Sequence, residues 1–526
     1  MDKVKEKILV IGGGLSGVHT CKKLLEKGLE VTLIDEGEGM EVDPCYREDG
    51  RAYFERCLKT LKDNSHISIR EATSLKSIKG EAGAFEVVLS KEGGEEEDSF
   101  GAIVAAIPYS YEPIFPQWGL SPSPHILSTD SAEREFSSSK GKGEVFVFLM
   151  DFEQETNPIS FKRSISLAKK ITKAGGRAFI ITRYAKVACP GMEKLVSEAK
   201  QEGIIIIKSP SSPSISLNGT IRVQTYDTIL ERSVEIEADK VVVEDRPLPG
   251  PSAKRLAQLL MIHQDPSGFL QTNNVRRVPI FTNRKGIFVS GTAAGIKPFY
   301  QVLTDGLNVA LEACLLAKGE SIYGAKTEIE VDTEKCARCL TCYRVCPHGA
   351  VAWNGERIVI SPLMCEGCGT CASECPMNAI QLKEFADSAV SKEIGQKITP
   401  SSPVVIGFCC QNSAFEACEE AVDRGELPGE FSPIKVPCAG KVDVEYIMEA
   451  LVKGAQGVVI AGCHPGNCRS ERGNTFASYR IEAIRKLLKE IGIDPGRVEF
   501  IGAASNEWVR FVTKIKEFIA QTHQSH

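Results

Sequence analysis

The sequence predicts an α/β chain in three parts: a nucleotide-binding fold split by an inserted domain, a small cysteine-rich domain, and a second, smaller α/β domain. Three observations predict it. A strand, a glycine turn, a helix and a second strand open the chain between Lys7 and Asp35. Two copies of one cysteine run lie between Cys336 and Pro376. Beyond residue 403, three apolar strand patterns each end in cysteine.

Composition bounds the function. At 526 residues the chain has room for several domains. With 42% hydrophobic and 25% charged residues it reads as an ordinary folded protein. A net charge of −6 gives no reason to expect nucleic acid or an anionic membrane surface. Met1-Asp-Lys-Val-Lys-Glu-Lys7 runs directly into a strand pattern, predicting no signal peptide, and no apolar run is long enough to span a bilayer. Nineteen cysteines, mostly at metal-ligand spacings, predict metal sites in a reducing, cytoplasmic compartment rather than disulfides. Cys21, Cys45, Cys57, Cys189 and Cys314 are scattered and read as structural thiols.

The first element is the apolar strand Lys7–Ile11, followed at once by Gly12-Gly13-Gly14-Leu15-Ser16-Gly17 and a helix pattern to Glu26. Gly12 permits the tight turn, Gly14 lets backbone approach a pyrophosphate, and Gly17 lets helix and strand pack closely. Leu15 and Ser16 open the helix, whose N-terminal N–H groups and dipole favour phosphate. Asp35 ends the second strand, placed to accept from ribose hydroxyls. A distant stretch, Gly286-Ile-Phe-Val-Ser-Gly291-Thr292-Ala-Ala-Gly295, is a strand entering a small-residue turn before a helix pattern. It resembles the closing motif of two-dinucleotide-domain flavoproteins, where it meets the flavin side of FAD. An FAD-binding domain is therefore expected over 1–140 and 275–320.

The insert, 141–274, repeats the strand and helix rhythm of a second nucleotide domain. Its first strand is followed by Asp151-Phe-Glu-Gln-Glu-Thr-Asn157, with no glycine turn and with acids where phosphates would lie. A degenerate NAD(P)-type domain that kept its fold and lost NAD(P)H is expected, with a site built from other residues as the alternative. Disulfide reductases of this architecture carry a C-x2-C or C-x4-C redox pair, and Cys45 and Cys57 are too far apart in sequence to read that way; no hydrolytic triad is present either.

Residues 325–388 are expected to form a two-cluster ferredoxin domain. Cys336, Cys339, Cys342 and Cys346-Pro347, then Cys365, Cys368, Cys371 and Cys375-Pro376, are two C-x2-C-x2-C-x3-C-P runs. The fourth cysteine of each run ligates the other cluster, giving one [4Fe-4S] cubane on Cys336, Cys339, Cys342 and Cys375 and a second on Cys365, Cys368, Cys371 and Cys346. Between the runs, alternation around Asn354-Gly355 predicts a hairpin. Zinc knuckles are the competing reading of the spacing alone.

Residues 389–402, polar with a Pro/Ser-rich end, read as a linker. In the last domain, 403–526, strand patterns end at Cys410, before Cys438 and before Cys463, with Cys468 close behind. Strand carboxyl ends converge in an open α/β sheet, so these four are expected to hold one [2Fe-2S] cluster, with zinc as the competitor. Cys409 is expected to point away and Cys418 to be core.

The order of parts resembles known proteins. Residues 1–388 are similar to the A-subunit of heterodisulfide reductase, through GGGxxG, the GIFxxG turn, Lys297 after it, and the two cysteine runs. Residues 403–526 resemble the delta subunit of methyl-viologen-reducing hydrogenase, through Gly407-Phe-Cys-Cys410, Cys438-Ala-Gly-Lys-Val442 and Gly462-Cys463-His-Pro-Gly-Asn-Cys468. Ser413 stands where that family carries a further cysteine. The whole fusion is similar to the B-subunit of the quinone-interacting membrane-bound oxidoreductase. The resemblance implies a thioredoxin reductase-like FAD fold and an electron-transfer protein carrying FAD, two [4Fe-4S] and one [2Fe-2S]. Lys297 would be the catalytic residue beside the isoalloxazine. Partners would be heterodisulfide reductase B/C-like or quinone-interacting subunits and a hydrogenase or dehydrogenase donor. The resemblance implies membrane association only through partners, and does not distinguish simple transfer from flavin-based bifurcation. A self-contained NAD(P)H-dependent reductase and a wiring subunit without FAD are the alternatives.

Overall fold

A computed structural model describes residues 6–37, 40–43, 46, 50–138, 143–153, 155–217, 219–270, 279–321, 328–398 and 404–524. The chain divides into two compact units, one holding 1–78, 83–272 and 287–319, the other 79–82, 273–286 and 320–526. Cys45 lies outside the described residues.

The first unit contains two parallel sheets. The order in one is Ile287–Val289, Ala102–Ala105, Lys7–Ile11, Glu30–Ile34, Ile67–Arg70. Its central strands are short apolar runs buried on both faces, as parallel strands must be when helices cover them. The chain leaves Lys7–Ile11 in one direction and returns to its other side through Ala102–Ala105. That reversal opens a crevice at their carboxyl ends, where nucleotides bind in such folds. The helices Leu15–Glu26 and Phe299–Lys318 pack closely, because Gly306 admits the His19 ring where a Cβ would stand 2.5 Å from its Cδ2.

The second sheet has the order Ile205–Lys208, Arg177–Thr182, Val145–Met150, Lys240–Val243, Ile126–Ser128, all parallel. The expected boundary at 141 therefore moves. Ile126–Ser128 and the helix Thr129–Ser138 belong to the inserted domain, because that strand pairs with Lys240–Val243. The helix Pro158–Lys173 starts with proline at its first position. Its N-cap, Asn157, accepts from the N–H groups of Ile159 and Ser160.

In the second unit, Ile329–Val331 pairs with Ile380–Leu382, and Val351–Trp353 pairs with Ile358–Ile360 as the expected hairpin. Gly355 turns it with φ +97°, and the Asn354 side chain accepts from the Arg357 N–H at 2.8 Å. The last domain is a parallel sheet ordered Phe431–Val436, Val405–Cys410, Gly457–Gly462, Val498–Gly502.

Two boundaries differ from the sequence reading. The expected linker is helical from Asp387 to Lys397, and Val390 and Ile394 are buried in the core of the last domain. The stretch 279–286, assigned in sequence to the FAD domain from residue 275, belongs to the second unit. There the Arg284 guanidinium donates to the carbonyls of Met364 at 3.0 Å and His348 at 3.4 Å.

Candidate cofactor sites

The glycine turn is held by contacts that admit no side chain. Gly12 has φ +118°, and a Cβ on it would stand 2.5 Å from the Ala106 carbonyl oxygen. A Cβ on Gly17 would stand 1.8 Å from the Gly12 oxygen. At Gly14 a Cβ would stand in ordinary contact with Pro108, 3.6 Å away, and Asp43, 3.8 Å away, so no protein atom requires a glycine there. Asp35 is buried and accepts from the N–H groups of Gly37 at 3.2 Å and Gly13 at 3.4 Å, which orients its carboxylate at the turn. The tight glycine turn, the start of the helix Leu15–Glu26 and the oriented acid together fit a dinucleotide.

Ser16 joins the distant turn to this one. Its hydroxyl accepts from the Thr292 N–H at 3.3 Å, and the Thr292 hydroxyl donates to the Ile107 carbonyl at 3.1 Å. Gly291, at φ +57°, leaves room for Ser16 where a Cβ would meet its Oγ at 2.1 Å. Ala105-Ala106-Ile107 is thus the wall against which both turns close. The Lys297 ammonium is ion-paired with Asp305, which also accepts from the Gly291 N–H at 3.1 Å. Burial raises the Asp305 carboxyl, with Lys297 opposing. The Tyr46 hydroxyl donates to the Lys297 carbonyl. Asp305 carries no motif, and sequence reading missed it; its only signal is an acid on the otherwise apolar face of a helix. His19 is pulled down to about 4 by burial and is fixed between the Tyr53 hydroxyl and the Leu303 carbonyl.

In the inserted domain the carboxyl ends of the central strands carry acids. Glu244 accepts from the Asp151 N–H and the Thr156 hydroxyl. Asp151, at φ +70°, accepts from the N–H groups of Thr156 and Tyr184. Burial pushes Glu244 up to about 7 and Asp245 up to about 6. Arg163 is shared among Asp130, Glu133 and Asp245. Glu244 and Asp151 thus occupy the backbone N–H groups of Asp151, Thr156 and Tyr184 and the Thr156 hydroxyl at this end of the sheet.

The ferredoxin-run cysteines lie close together: Cys342, Cys371, Cys336, Cys346 and Cys375 share one core, and Cys371 neighbours Cys342 as well as Cys368, Cys365 and Cys346. Cys342, raised by burial, has Cys375, Cys336 and Cys339 as its thiol neighbours. Cys365 has Cys346 beside it, and Cys368 has Cys365 and Cys346. The Cys346 sulfur accepts from the Ala350 N–H at 3.4 Å and the Cys375 sulfur from the Ala379 N–H at 3.3 Å, so the two runs share one geometry. Cys339 is exposed, whereas Cys368 and Cys371 are buried. No group of three or more His, Cys, Asp or Glu among the described residues is placed to hold a single metal ion. A cubane, whose thiolates sit on different irons, does not require that.

In the last domain Cys410 ends its strand, Cys438 follows the next after Pro437, Cys463 directly follows the third, and all are buried with Cys468. Cys463 is held below the usual thiol range by hydrogen bonds from Cys410 and Cys468. Gly473 admits the Cys438 sulfur, which would lie 2.2 Å from a Cβ there. Cys409 and Cys418 lie in a different apolar core, among Phe431 and Phe511. Cys368 of the ferredoxin domain packs in one buried cluster with Cys410, Cys438, Cys463 and Cys468, a meeting that no spacing in the chain foretells.

Family models match three stretches: pyridine nucleotide-disulphide oxidoreductase over 1–140, 4Fe-4S dicluster domain over 328–382, and methyl-viologen-reducing hydrogenase, delta subunit, over 405–524. The A-subunit of a ferredoxin:CoB-CoM heterodisulfide reductase from Methanosarcina mazei is 29% identical over 304 residues, 57% of this chain and 38% of the relative. The A-subunit of a ferredoxin/F(420)H(2)-dependent CoB-CoM heterodisulfide reductase from Methanosarcina acetivorans is 27% identical over 337 residues, 63% of this chain and 42% of the relative. The chain thus spans well under half the length of these two relatives. The vhu iron-sulfur D-subunit of an F420-non-reducing hydrogenase from Methanopyrus kandleri is 41% identical over 115 residues, 22% of this chain and 87% of the relative. Lactococcus lactis thioredoxin reductase superposes with a TM-score of 0.43 at 15% identity, covering 59% of this chain and 99% of that one.

Proposed function

We propose a function from one premise, that the chain belongs through residues 405–524 to the family of the methyl-viologen-reducing hydrogenase delta subunit. It is an oxidoreductase, and its N-terminal and middle parts are similar to the A-subunit of heterodisulfide reductase, with the domains of flavin and iron–sulfur electron transfer. The finer reading is that it connects a partner oxidoreductase to FAD by way of one [2Fe-2S] and two [4Fe-4S] groups. The observation that carries it is the burial of Cys368 together with Cys410, Cys438, Cys463 and Cys468. Ligands of two separate groups meet in one core, so the last domain is joined to the second cubane and not merely tethered to it.

When bound, FAD supplies two-electron and one-electron exchange, and the iron–sulfur groups supply single-electron exchange. The chain's own residues do the rest. Gly12, Gly14, Leu15, Ser16, Gly17 and Asp35 would hold the dinucleotide, and Gly291 and Thr292 close its flavin end. Lys297 stands beside that end, held by Asp305, where its charge would favour a reduced, anionic ring. The acids at Asp151, Glu244 and Asp245 keep a second dinucleotide out, so this reading denies the chain its own NAD(P)H site. Partner subunits of the heterodisulfide reductase B/C or quinone-interacting kind would supply and take the electrons. Among the described residues no helix is long and apolar enough to cross a membrane, so attachment to one would run through such partners.

The test is cofactor content of the anaerobically purified full chain. Two cubanes and one [2Fe-2S] centre give about ten iron atoms, with one FAD. About eight iron with stoichiometric zinc would overturn the assignment of Cys410, Cys438, Cys463 and Cys468. Rapid bleaching of the flavin by NADH or NADPH would favour the self-contained reductase instead.

A further inference from the structure

The junction between the ferredoxin runs and the last domain is built around a buried lysine. Lys441 is 1% exposed, although it follows Cys438 by three residues in a short turn, Ala439–Lys441. An ammonium is kept in such a place only when its donors are taken up. Its Nζ donates to the Asp387 carboxylate at 2.8 Å and to the Tyr446 hydroxyl, and it lies over the Tyr446 ring. Asp387 begins the helix that takes the place of the expected linker.

The stem of Lys441 lies on Gly369, between Cys368 and Cys371. A Cβ on Gly369 would stand 2.8 to 3.0 Å from the lysine's Cβ, Cγ and Cδ. The same loop grips the Lys441 backbone, with the Ser373 hydroxyl donating to its carbonyl at 2.7 Å. Gly440 allows the turn to close on the loop, since a Cβ there would meet the Thr370 hydroxyl oxygen at 2.4 Å. Arg480 ties the far side, donating to the carbonyls of Gly440 at 3.0 Å and Val442 at 2.6 Å and to Glu374 at 2.7 Å. Together these contacts join the loop carrying Cys368 and Cys371 to the turn carrying Cys438.

We propose that Lys441 is a positioning residue that fixes the separation between the second cubane and the C-terminal iron–sulfur centre. The inference rests on the ligand assignments above. A bare glycine loop and a three-residue turn have little stiffness of their own. The long stem wedged between them, anchored at its charged end, sets their distance. An aliphatic residue would fill the stem's space and lose the anchor.

The test is paramagnetic resonance of the reduced, full-length holoprotein, in which two neighbouring reduced centres split and broaden one another's signals. Wild-type protein is expected to show that interaction. Lys441→Met is expected to lose it while keeping full iron content. Asp387→Asn, which leaves the ammonium and removes its anchor, is the gentler variant, expected to weaken it. Interaction unchanged in both variants overturns the role of Lys441. Absence of interaction in wild type overturns the adjacency of the two centres and hence the functional reading itself. The two failures are therefore distinguishable.

Discussion

Glu244 shows at the scale of one residue what burial does to an acid at the end of a strand. The residue is 2% exposed, and burial pushes its carboxyl from 4.5 to about 7. The native state therefore holds a proton that the unfolded chain has released across that window. Stability is fully present below about 4.5, falls as pH rises, and is lost above about 7. The loss is on the order of 3 kcal/mol. Glu244→Gln, measured by thermal unfolding from pH 5 to pH 8, should flatten that slope and be more stable than wild type at pH 8. An unchanged slope would show that another group titrates. Gly17→Ala forces a Cβ to 1.8 Å from the Gly12 oxygen and should lower FAD affinity about tenfold or more, read by flavin released per chain. Cys375→Ala should perturb the centre proposed on Cys336, Cys339 and Cys342 and spare the one on Cys365, Cys368, Cys371 and Cys346. A resonance spectrum altered only in the second centre would show that each run closes its own cluster. The motif glycines and cysteines were legible because their chemistry constrains spacing. Asp305, Arg284 and Lys441 were not, because a lone charged residue becomes informative only once its neighbours are known.

Among elements, the helix Asp387–Lys397 is the main departure from the sequence reading. Its apolar face consists of Val390 and Ile394, spaced one helical turn apart in an otherwise polar stretch, and such a narrow stripe reads as a linker. Burial against the last domain decides it. Ile394 is fully buried there, so Ile394→Ala should cost about 2–5 kcal/mol, lowering the unfolding midpoint of that domain in denaturant. The strand Ile126–Ser128 escaped for another reason. It is three residues long, and its assignment depends on pairing with Lys240–Val243, far along the chain. The glycine-turn unit was readable because strand, turn and helix are contiguous and each repeats a local pattern.

For the whole molecule, the ligands proposed for FAD and both cubanes lie upstream of the helix Asp387–Lys397. A chain ending at Ala386 should retain flavin and about eight of its iron atoms and still be reduced by viologen dyes. It should lose reduction by the physiological partner. The cut belongs before Asp387, since the helix packs into the last domain. If such a chain accepts electrons from the partner at the full-length rate, the last domain is not the port.

The exposure of Cys339 sets how the protein will age in air. Dioxygen reaches an iron–sulfur group through its uncovered corner, and Cys339 and the exposed Tyr343 mark such a corner. Cys368, Cys371, Cys410 and Cys438 are sealed. Aerated protein should bleach in two phases: a fast one for the centre proposed on Cys336, Cys339, Cys342 and Cys375, and a slow one for the two centres proposed on the more buried cysteines. In the interval between them, a preparation that still looks brown would already have lost its outermost centre.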